Sequence, residues 1–392
     1  MESLRIRGIA AGIELSRLTD LHTIRSAIAL LQRSGERAQE AGYEVQELRL
    51  VTNPLVARLD ADRRESVLGA LQEIDREVDA HGIVLSIGPV LLQDRFEPEL
   101  AEWVARLTQA TRAISFSIPV GSIDGGVLGG AVRTAAQVIA RLGRVDPTGV
   151  ANFRFAAAAC VPPGTPFFPV AYHEGAASLG FGVESAGLVR AAFAASPADA
   201  ERRLREALET HLGPIEQLGR RIAEAESVRY LGIDPSPAPG PDRSIGEAIE
   251  LLTGAPFGSA STLQACATIT AALKSLQLQT CGYSGLMLPV LEDRTLARRA
   301  GERRYGLQEL LLYSAVCGTG LDVIPLPADV SVDLLTRLVG DVATLAVRLR
   351  KPLSARLLPT PGCSAGEMAR YPDERLVPCR VFDVDTGDAA CQ

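Results

Sequence analysis

The stretch that decides the fold runs from residue 4 to residue 51 and reads LRIRGIAAGIELSRLTDLHTIRSAIALLQRSGERAQEAGYEVQELRLV. Its two ends, 4–9 and 44–51, are predicted strands in which apolar residues are interspersed with polar ones. Between them, apolar residues recur at helical spacing over 17–41, and Gly42 occupies the position of a helix C-cap. A strand, a helix and a second strand in this order are typical of a crossover unit with parallel strands.

The same alternation continues along the chain and favours parallel pairing with crossover connections. Further strands are predicted over 82–87 and 113–118. Further helices are predicted over 61–80, 96–110 and 127–142. The alternation returns over 277–360, without an internal repeat or a clear linker, and residues 361–392 are polar and mixed. We therefore predict one large α/β domain over 1–360 and a surface extension over 361–392.

The middle of the chain is different, because it combines proline-rich loops with one long helix. Four prolines fall between 162 and 169, which predicts an ordered loop. Ser196 is predicted as the N-cap of a helix over 197–226. A short strand over 230–233 follows, and Ser244 opens a capping box for the next helix.

Composition excludes several classes of protein. The 392 residues carry a formal net charge of −7, so no surplus of Lys and Arg exists to neutralise nucleic-acid phosphates. No uncharged apolar run reaches about 18 residues, so no membrane span is expected. The seven cysteines include no C-x-x-C pair, which favours reduced thiols in the cytoplasm over a disulfide framework or a zinc site.

A glycine-rich turn over 120–131, VGSIDGGVLGGA, is a candidate anion site. It follows a predicted strand and opens a helix, so its backbone N–H groups can bind an anion. The alternative is a tight turn that serves packing alone. The spacing is neither a dinucleotide fingerprint nor a phosphate loop of nucleoside triphosphatases, so no dinucleotide cofactor is implied. The candidate substrate-binding residues here are Gly121, Ser122, Gly125, Gly126 and Arg133.

Two loops carry candidate acid/base residues. His173, beside Glu174 at the end of the first proline-rich loop, suits an acid/base or metal-ligand pair. The alternative is a loop histidine that only hydrogen-bonds the backbone. Asp234 and Ser236 follow the strand over 230–233, at the strand end where α/β proteins bind ligands. Their alternative role is to cap a turn.

Two later glycine loops hold Ser284, Cys317 and Asp322. A cysteine before a glycine at a loop tip can be accessible and nucleophilic. A free cysteine is, however, more often a small core residue. The G-Y-S-G string over 282–285 is not a nucleophile elbow, because only two residues separate its glycines.

Several motifs together are similar to one known family. They are FFPVAYHEG over 167–175, Asp234-x-Ser236-x-Ala238-Pro239, Phe257-Gly258-Ser259, the run from Gly282 to Asp293, and Cys317-Gly-x-Gly-Leu-Asp322. The chain resembles, over about 1–360, the uncharacterised bacterial and archaeal family called domain of unknown function 711, whose fold is classed with pyruvate formate-lyase. The resemblance implies a ten-stranded α/β barrel in two parallel halves, with a loop through its interior. It also implies a homodimer or higher homo-oligomer and a small ACT-domain protein as partner.

The chain departs from the glycyl radical enzymes of that fold at the residues that would carry the radical. Near the C-terminus, the nearest string to the radical loop is Arg380-Val381-Phe382-Asp383-Val384, which has no glycine, and Gly387 is followed by Asp388. The adjacent cysteine pair of pyruvate formate-lyase is also missing. We therefore expect a non-radical barrel.

Two functions from different classes follow. In the first, the protein is a lyase, hydrolase or cyclase that acts on a small polar, anionic metabolite docked on the glycine turn and Arg133. In the second, it is a ligand-binding or regulatory partner of an ACT-domain protein, without turnover. We favour the enzyme, because His, Asp, Ser and Cys all fall on glycine or proline loops.

The enzyme hypothesis assigns a role to each candidate. The expected pocket residues are His173, Glu174, Asp234, Ser236, Ser284, Cys317 and Asp322. His173 would be the general acid/base, oriented by Glu174, and Cys317 a nucleophile or a pocket wall. Asp234 or Asp322 would orient the substrate or a divalent cation, the one cofactor that the sequence leaves open.

Overall fold

The computed structural model describes residues 4–195, 199–240 and 243–384. The predicted helix cap at Ser196, Gly387 and Cys391 lie outside the described residues. The strands are β1 (Arg5–Ile13), β2 (Leu48–Thr52), β3 (Ile83–Pro89), β4 (Ile114–Ser122), β5 (Gly126–Val127), β6 (Phe155–Ala159), β7 (Ser178–Glu184), β8 (Arg229–Asp234), β9 (Gly320–Pro327), β10 (Leu353–Thr360), β11 (Met368–Ala369) and β12 (Cys379–Arg380). The helices are α1 (Leu21–Glu40), α2 (Ala61–Ser66), α3 (Leu68–Asp79), α4 (Glu99–Ala110), α5 (Gly129–Leu142), α6 (Ala186–Ala195), α7 (Ala200–Ala225), α8 (Ile245–Thr253), α9 (Thr262–Lys274), α10 (Arg294–Gly301), α11 (Leu307–Ser314) and α12 (Val332–Leu349).

Ten strands form one mostly parallel central sheet in the order β8-β7-β1-β2-β3-β4-β6-β10-β9, with β5 paired to β4. The inner strands β1, β2, β3, β4 and β6 are parallel to one another. The outer pairs run the other way, since β7 is antiparallel to β1 and β10 is antiparallel to β6. The predicted α/β class and the parallel pairing of the first strands are confirmed.

One stretch of chain touches both edges of this sheet. Thr280 forms a parallel bridge with Ile233 of β8, and Pro289 forms a parallel bridge with Asp322 of β9. The segment 280–289 therefore runs from one outer strand to the other.

The first helix shows how the sequence pattern produces the layers. In α1, Ile24, Ile28 and Leu31 are buried on one face, as the apolar spacing predicts. Asp20 caps its first turn by accepting the N–H of Thr23 at 3.2 Å. Helices of this kind cover the sheet.

None of the helices within the described residues has the length and the apolar composition that a membrane span needs.

Two predicted elements differ in detail. The helix predicted over 61–80 is divided into α2 and α3 at Val67, whose ψ of −2° departs from regular helix geometry. The strand predicted over 44–51 begins only at Leu48, and a single bridge between Ile6 and Val45 precedes it.

Strand β7 escaped the sequence analysis because it is rich in glycine, which has low strand propensity. The structure explains the glycines by close contacts. A β-carbon on Gly182 would lie 3.3 Å from the ring of Phe167, which belongs to the proline-rich loop. That loop also crosses β2 and β3: His173 donates its N–H to the carbonyl of Thr52 at 3.0 Å, and Ser86 donates its hydroxyl to the carbonyl of Ala171 at 2.6 Å.

The chain after residue 360 was predicted as a surface extension, and for its last described part this is wrong. Val377 donates its N–H to the carbonyl of Leu291 at 2.7 Å, and Phe382 donates to the carbonyl of Pro325 at 3.1 Å. Cys379 and Phe382 are buried. This segment packs on the domain because its apolar side chains complete the core, although polar residues dominate its composition.

Candidate functional site

A cavity lies against the central sheet, and arginines dominate its charged wall. Strands β1, β2, β3, β4, β9 and β10 contribute side chains to it, together with the proline-rich loop and the segment 280–289. The arginines that line it are Arg7, Arg49, Arg112, Arg154, Arg356 and Arg375. The carboxylates that line it are Glu47, Glu292 and Asp322. Six guanidinium groups and three carboxylates therefore line the cavity, with Asp373 paired to Arg375 and Asp75 near Arg154 just outside it, so cationic side chains outnumber anionic ones in the wall.

A row of four charged side chains crosses the cavity. Asp322 of β9 accepts a hydrogen bond from Arg356 Nη1 of β10 at 2.9 Å. The same nitrogen lies 3.4 Å from Glu292 Oε1, and Glu292 Oε2 accepts from Arg7 Nη2 at 2.7 Å. Arg7 also donates to the carbonyl of Pro239 at 2.9 Å. Glu292 therefore joins β1 to β10 through two guanidinium groups.

Arg49 holds the proline-rich loop against the cavity. Its Nε donates to Glu47 at 2.7 Å, and its Nη1 donates to the carbonyl of Pro166 at 2.6 Å. The guanidinium carbon lies 5.8 Å from the ring centre of Phe167 and 5.4 Å from that of Phe168. These are cation–π distances, so the arginine binds both a carboxylate and the two aromatic rings.

Phe153 is contacted by two cavity arginines. The guanidinium carbon of Arg356 lies 4.7 Å from its ring centre, and that of Arg375 lies 5.0 Å away. Arg375 pairs with Asp373 at 2.7 Å and lies 3.5 Å from Glu47. The C-terminal segment thus supplies one of the charged walls.

Two buried polar atoms in the cavity wall have no hydrogen-bond partner within the described part of the chain. They are Nε of Arg356 and Oγ1 of Thr319. Both side chains line the cavity, and they are 9% and 2% exposed. Because an unsatisfied buried polar group costs free energy, such atoms in a cavity wall point to a ligand or to ordered water.

Burial changes the acidity of several groups around this cavity. It raises the pKa of Asp322, while the nearby Arg356 guanidinium lowers it. Burial lowers the pKa of Arg154 to about 10. Arg154 donates only to carbonyl and hydroxyl oxygens, those of Ile114, Thr108 and Thr111. Among the described residues no carboxylate lies within salt-bridge distance of it, although the charge of Asp75 is near enough to raise its pKa again in part.

Among the predicted catalytic residues, Asp322 lines this cavity. Asp234 is instead fully buried at the end of β8. Its carboxylate accepts the N–H groups of Tyr283 at 2.7 Å and Ser284 at 3.0 Å, and the hydroxyl of Ser236 at 2.5 Å. Burial raises the pKa of Asp234, and the hydrogen bonds from Ser236 oppose this. Asp234 and Ser236 therefore act as a cap for the 281–285 turn, the alternative that the sequence left open.

His173 lies at the ends of β1 and β2 and is not among the residues that line the cavity. Its Nε2 is 2.8 Å from the carbonyl oxygen of Gly175, and its Nδ1 is 3.3 Å from the hydroxyl of Ser178. A β-carbon on Gly12 would lie 2.2 Å from Nδ1. Burial lowers the pKa of His173. The predicted orientation by Glu174 is not seen, because Glu174 is exposed and the ring pairs with Gly175 and Ser178.

Cys317 is 1% exposed and packs in the main hydrophobic core. A nucleophile must reach its substrate, so this position contradicts the nucleophile role and favours the core alternative. Ser284 is also mostly buried, and its hydroxyl donates to the carbonyl of Cys281 at 2.9 Å. His173, Asp234 and Cys317 were expected to line one pocket. None of the three lines the arginine-rich cavity. The six cysteines within the described residues are all free thiols.

The glycine-rich turn lies apart from the cavity, and the chain supplies its own anion there. Asp94 accepts the N–H groups of Gly130 at 2.6 Å and Ala131 at 3.2 Å. Arg133 stacks on the ring of Phe96, with 4.2 Å from the guanidinium carbon to the ring centre. The predicted substrate-binding residues Gly121, Ser122, Gly125, Gly126 and Arg133 do not line the cavity. Ser122 accepts the N–H of Gly125 at 2.9 Å, as in an ordinary tight turn.

The arginines that line the cavity escaped the sequence analysis. Arg7, Arg49 and Arg356 each interrupt an apolar strand, and this signal could have identified them, because a charged residue in a buried strand needs a partner. As for a cation site, no group of three or more metal-ligating side chains occurs within residues 4–195, 199–240 and 243–384.

Comparison with known proteins places the chain in a family. The sequence model of the family described as Uncharacterised ACR (DUF711) matches residues 1–372, and the chain belongs to this family. A UPF0210 protein of Pyrobaculum arsenaticum is 30% identical over 368 residues, which cover 88% of this chain and 80% of the relative. A UPF0210 protein of Methanopyrus kandleri is 27% identical over 402 residues, covering 94% of this chain and 88% of the relative. The resemblance seen in the sequence motifs is confirmed.

Proposed function

We propose that this protein is an enzyme that binds a small anionic metabolite in the arginine-rich cavity and acts on it by acid/base chemistry. The reaction class is that of a lyase, hydrolase or cyclase without a radical. The observation that carries the proposal is the pair of unpartnered atoms, Arg356 Nε and Thr319 Oγ1, in the wall of a positively charged cavity. The oxygens of a ligand carboxylate or phosphate are the kind of acceptor that these two donors lack.

The charge balance of the cavity supports an anionic substrate over a neutral one. The row of Asp322, Arg356, Glu292 and Arg7 is balanced in charge, so the surplus of cationic side chains in the wall comes from Arg112 and Arg154. Arg154 has hydrogen bonds to uncharged oxygens alone. An anion that enters would offset this excess charge in surroundings where electrostatic interactions are stronger than in water.

Asp322 is the residue to which we assign the acid/base step. It lies in the cavity wall beside Arg356, where a bound anion would be within reach. Its raised pKa brings the carboxyl group closer to the working pH than an exposed aspartate would be. Arg356 would both bind the substrate and orient Asp322.

The proposal extends to the fold. The bridges of Thr280 to Ile233 and of Pro289 to Asp322 support closure of the sheet into a barrel like that of pyruvate formate-lyase. The cavity would then occupy the barrel interior, with the proline-rich loop inside it.

The test is a binding screen with inorganic phosphate and small mono- and dicarboxylates, measured by calorimetry on the wild type and Thr319→Val. The variant keeps the shape of Thr319 but removes its hydroxyl, so affinity for the bound anion should fall roughly 10-fold. Thr165→Val is the matched control, because Thr165 also has a buried, unpartnered hydroxyl but does not line the cavity.

The anion that binds is then incubated with the protein, and its chemical change is followed by NMR. Loss of that change in Asp322→Asn, with binding retained, is the expected result. Binding without any change would contradict the enzyme and favour the regulatory partner of an ACT-domain protein. If the wild type bound none of these anions, both the enzyme and the regulatory function would be contradicted.

A further inference from the structure

The chain uses lysine at two positions only. Of the 40 Lys and Arg residues, Lys274 and Lys351 are the lysines, and all others are arginine. They are 77 positions apart in the sequence.

The structure brings the ammonium groups of the two lysines to two neighbouring loops, 281–285 and 315–318. Lys274 donates from Nζ to the carbonyl of Tyr283 at 3.1 Å. Lys351 donates to the carbonyl of Ala315 at 3.1 Å and to that of Cys317. Burial lowers the pKa of Lys351, and the nearby charge of Lys274 lowers it further.

The two loops that hold the lysines touch through their glycines. A β-carbon on Gly285 would lie 2.7 Å from the Cα atom of Gly318, and Gly318 donates its N–H to the carbonyl of Leu286 at 2.7 Å. The neighbouring positions of the lysines therefore follow from a close backbone contact and do not depend on side-chain flexibility.

Lys274 lines a cleft that is distinct from the arginine-rich cavity. Apolar side chains form much of its wall, and Ser284 and Thr280 add hydroxyl groups. Among the described residues that line it, none is a carboxylate. Neither lysine is ion-paired within the described residues, so each donates to carbonyl oxygens instead.

An amine can do chemistry that a guanidinium cannot. It can lose its proton near neutral pH and attack a carbonyl carbon, whereas arginine stays protonated. Lys274 is exposed by surface area, yet the atoms around it lower its pKa by desolvation, while the Asp234 carboxylate raises it. Burial also lowers the pKa of Lys351. A lowered pKa increases the neutral fraction of an amine.

We propose that this cleft is a second reactive site, in which Lys274 forms an imine with the carbonyl group of a small aldehyde or ketone. The Nζ lone pair attacks the carbonyl carbon, a C–N bond forms, and the C–O bond breaks. The two amine protons leave with the oxygen as water. Lys351 is a positioning residue, because it does not line the cleft and holds the Cys317 loop through two carbonyl oxygens. The site is separate from the one in the proposed function and does not depend on it.

The experiment uses two probes, glyoxylate as an anionic aldehyde and glycolaldehyde as a neutral one. Each is incubated with the full chain at pH 7, the imine is reduced with sodium cyanoborohydride, and the modified lysine is located by peptide mass spectrometry. The same reaction in urea gives the intrinsic reactivity of each lysine in the unfolded chain. With two lysine side chains in the sequence, the assignment is unambiguous.

We expect Lys274 to be modified several-fold faster in the folded protein than in urea, and Lys351 to be modified more slowly. Lys274→Arg keeps the charge and should abolish the fast reaction, and Lys351→Arg should leave Lys274 as the labelled residue. Equal rates for Lys274 in the folded and unfolded chain, with both probes, would overturn the proposal. Fast labelling at Lys351 would also overturn it. The comparison with urea needs no variant, so a folding defect in either variant does not remove the test.

Discussion

Arg356 Nη1 lies 2.9 Å from Asp322 Oδ1, and this buried pair joins the neighbouring strands β10 and β9 in the cavity wall. Both side chains are mostly buried, 9% and 5% exposed. Taking two opposite charges out of water is costly, and the cost is offset only while both partners are present. The pair therefore has to be considered as a unit, for stability as well as for substrate binding.

Removing one partner of this pair should destabilise the protein more than removing both charges. Arg356→Gln leaves the Asp322 carboxylate buried without its closest cation, and we expect a loss of about 3–5 kcal/mol in the free energy of unfolding. The double variant Arg356→Gln, Asp322→Asn should lose less, because no uncompensated charge remains. Denaturant unfolding of the wild type, both single variants and the double variant measures this. A double variant less stable than Arg356→Gln would contradict the argument.

Thr319→Val should stabilise the protein in the absence of ligand. The Thr319 hydroxyl is buried and has no partner among the described residues, so its removal ends a desolvation cost of about 1 kcal/mol. The isosteric valine keeps the packing. The midpoint of urea unfolding should therefore rise, and Thr165→Val should behave in the same way. A fall in stability for Thr319→Val would mean that its hydroxyl makes a hydrogen bond, for instance to ordered water.

His173 should make the protein less stable in acid. Burial lowers its pKa in the folded state, so the unfolded chain binds a proton at pH values where the folded chain does not. Below the unfolded pKa of about 6.5 the unfolded state takes up more protons, and the free energy of unfolding decreases as pH falls.

In His173→Gln, the loss of stability between about pH 6.5 and pH 5 should be smaller than in the wild type. The variant loses stability near pH 8 through the missing ring hydrogen bonds. The quantity to compare is therefore the slope of the free energy of unfolding against pH. Unfolding curves at four pH values measure the slopes, and identical slopes for His173→Gln and the wild type would refute the prediction.

The fold could be predicted from the sequence as far as local apolar periodicity reaches. Strands β1 and β3 and helices α1 and α5 follow from their own residues, because each buries a face that the pattern displays. Strand β7 could not be found this way, since its Gly182 fits against the ring of Phe167 from a loop beside it. That reason lies in tertiary packing.

The candidate site was less predictable, because ligand sites and structural caps use the same residue types on the same loops. Asp234 satisfied every criterion for a ligand-binding carboxylate, yet the N–H groups that occupy it belong to Tyr283 and Ser284, about 50 residues away in the chain. Arg49 and Arg356 come together from strands some 300 residues apart. Sequence alone does not show which of 40 basic residues meet in one cavity.

The contact between Gly285 and Gly318 gives the last prediction, which concerns how the two lysine loops are held. A β-carbon on Gly285 would lie 2.7 Å from the Cα atom of Gly318, a backbone atom that cannot rotate away. Gly285→Ala should therefore separate the loops and lower the free energy of unfolding by about 1–3 kcal/mol, as overpacking usually does. Because Lys274 and Lys351 depend on these loops, the fast modification of Lys274 should also slow down.

Gly340→Ala is the matched control for that variant. Gly340 lies within α12, and its β-carbon would meet no atom within 4 Å. Alanine there should raise the free energy of unfolding by about 0.5–1 kcal/mol, because glycine is unfavourable inside a helix. Urea unfolding and the labelling rate of Lys274 are measured on both variants. If Gly285→Ala matched the wild type in both measurements, the loops would tolerate separation and the backbone contact would not position the lysines.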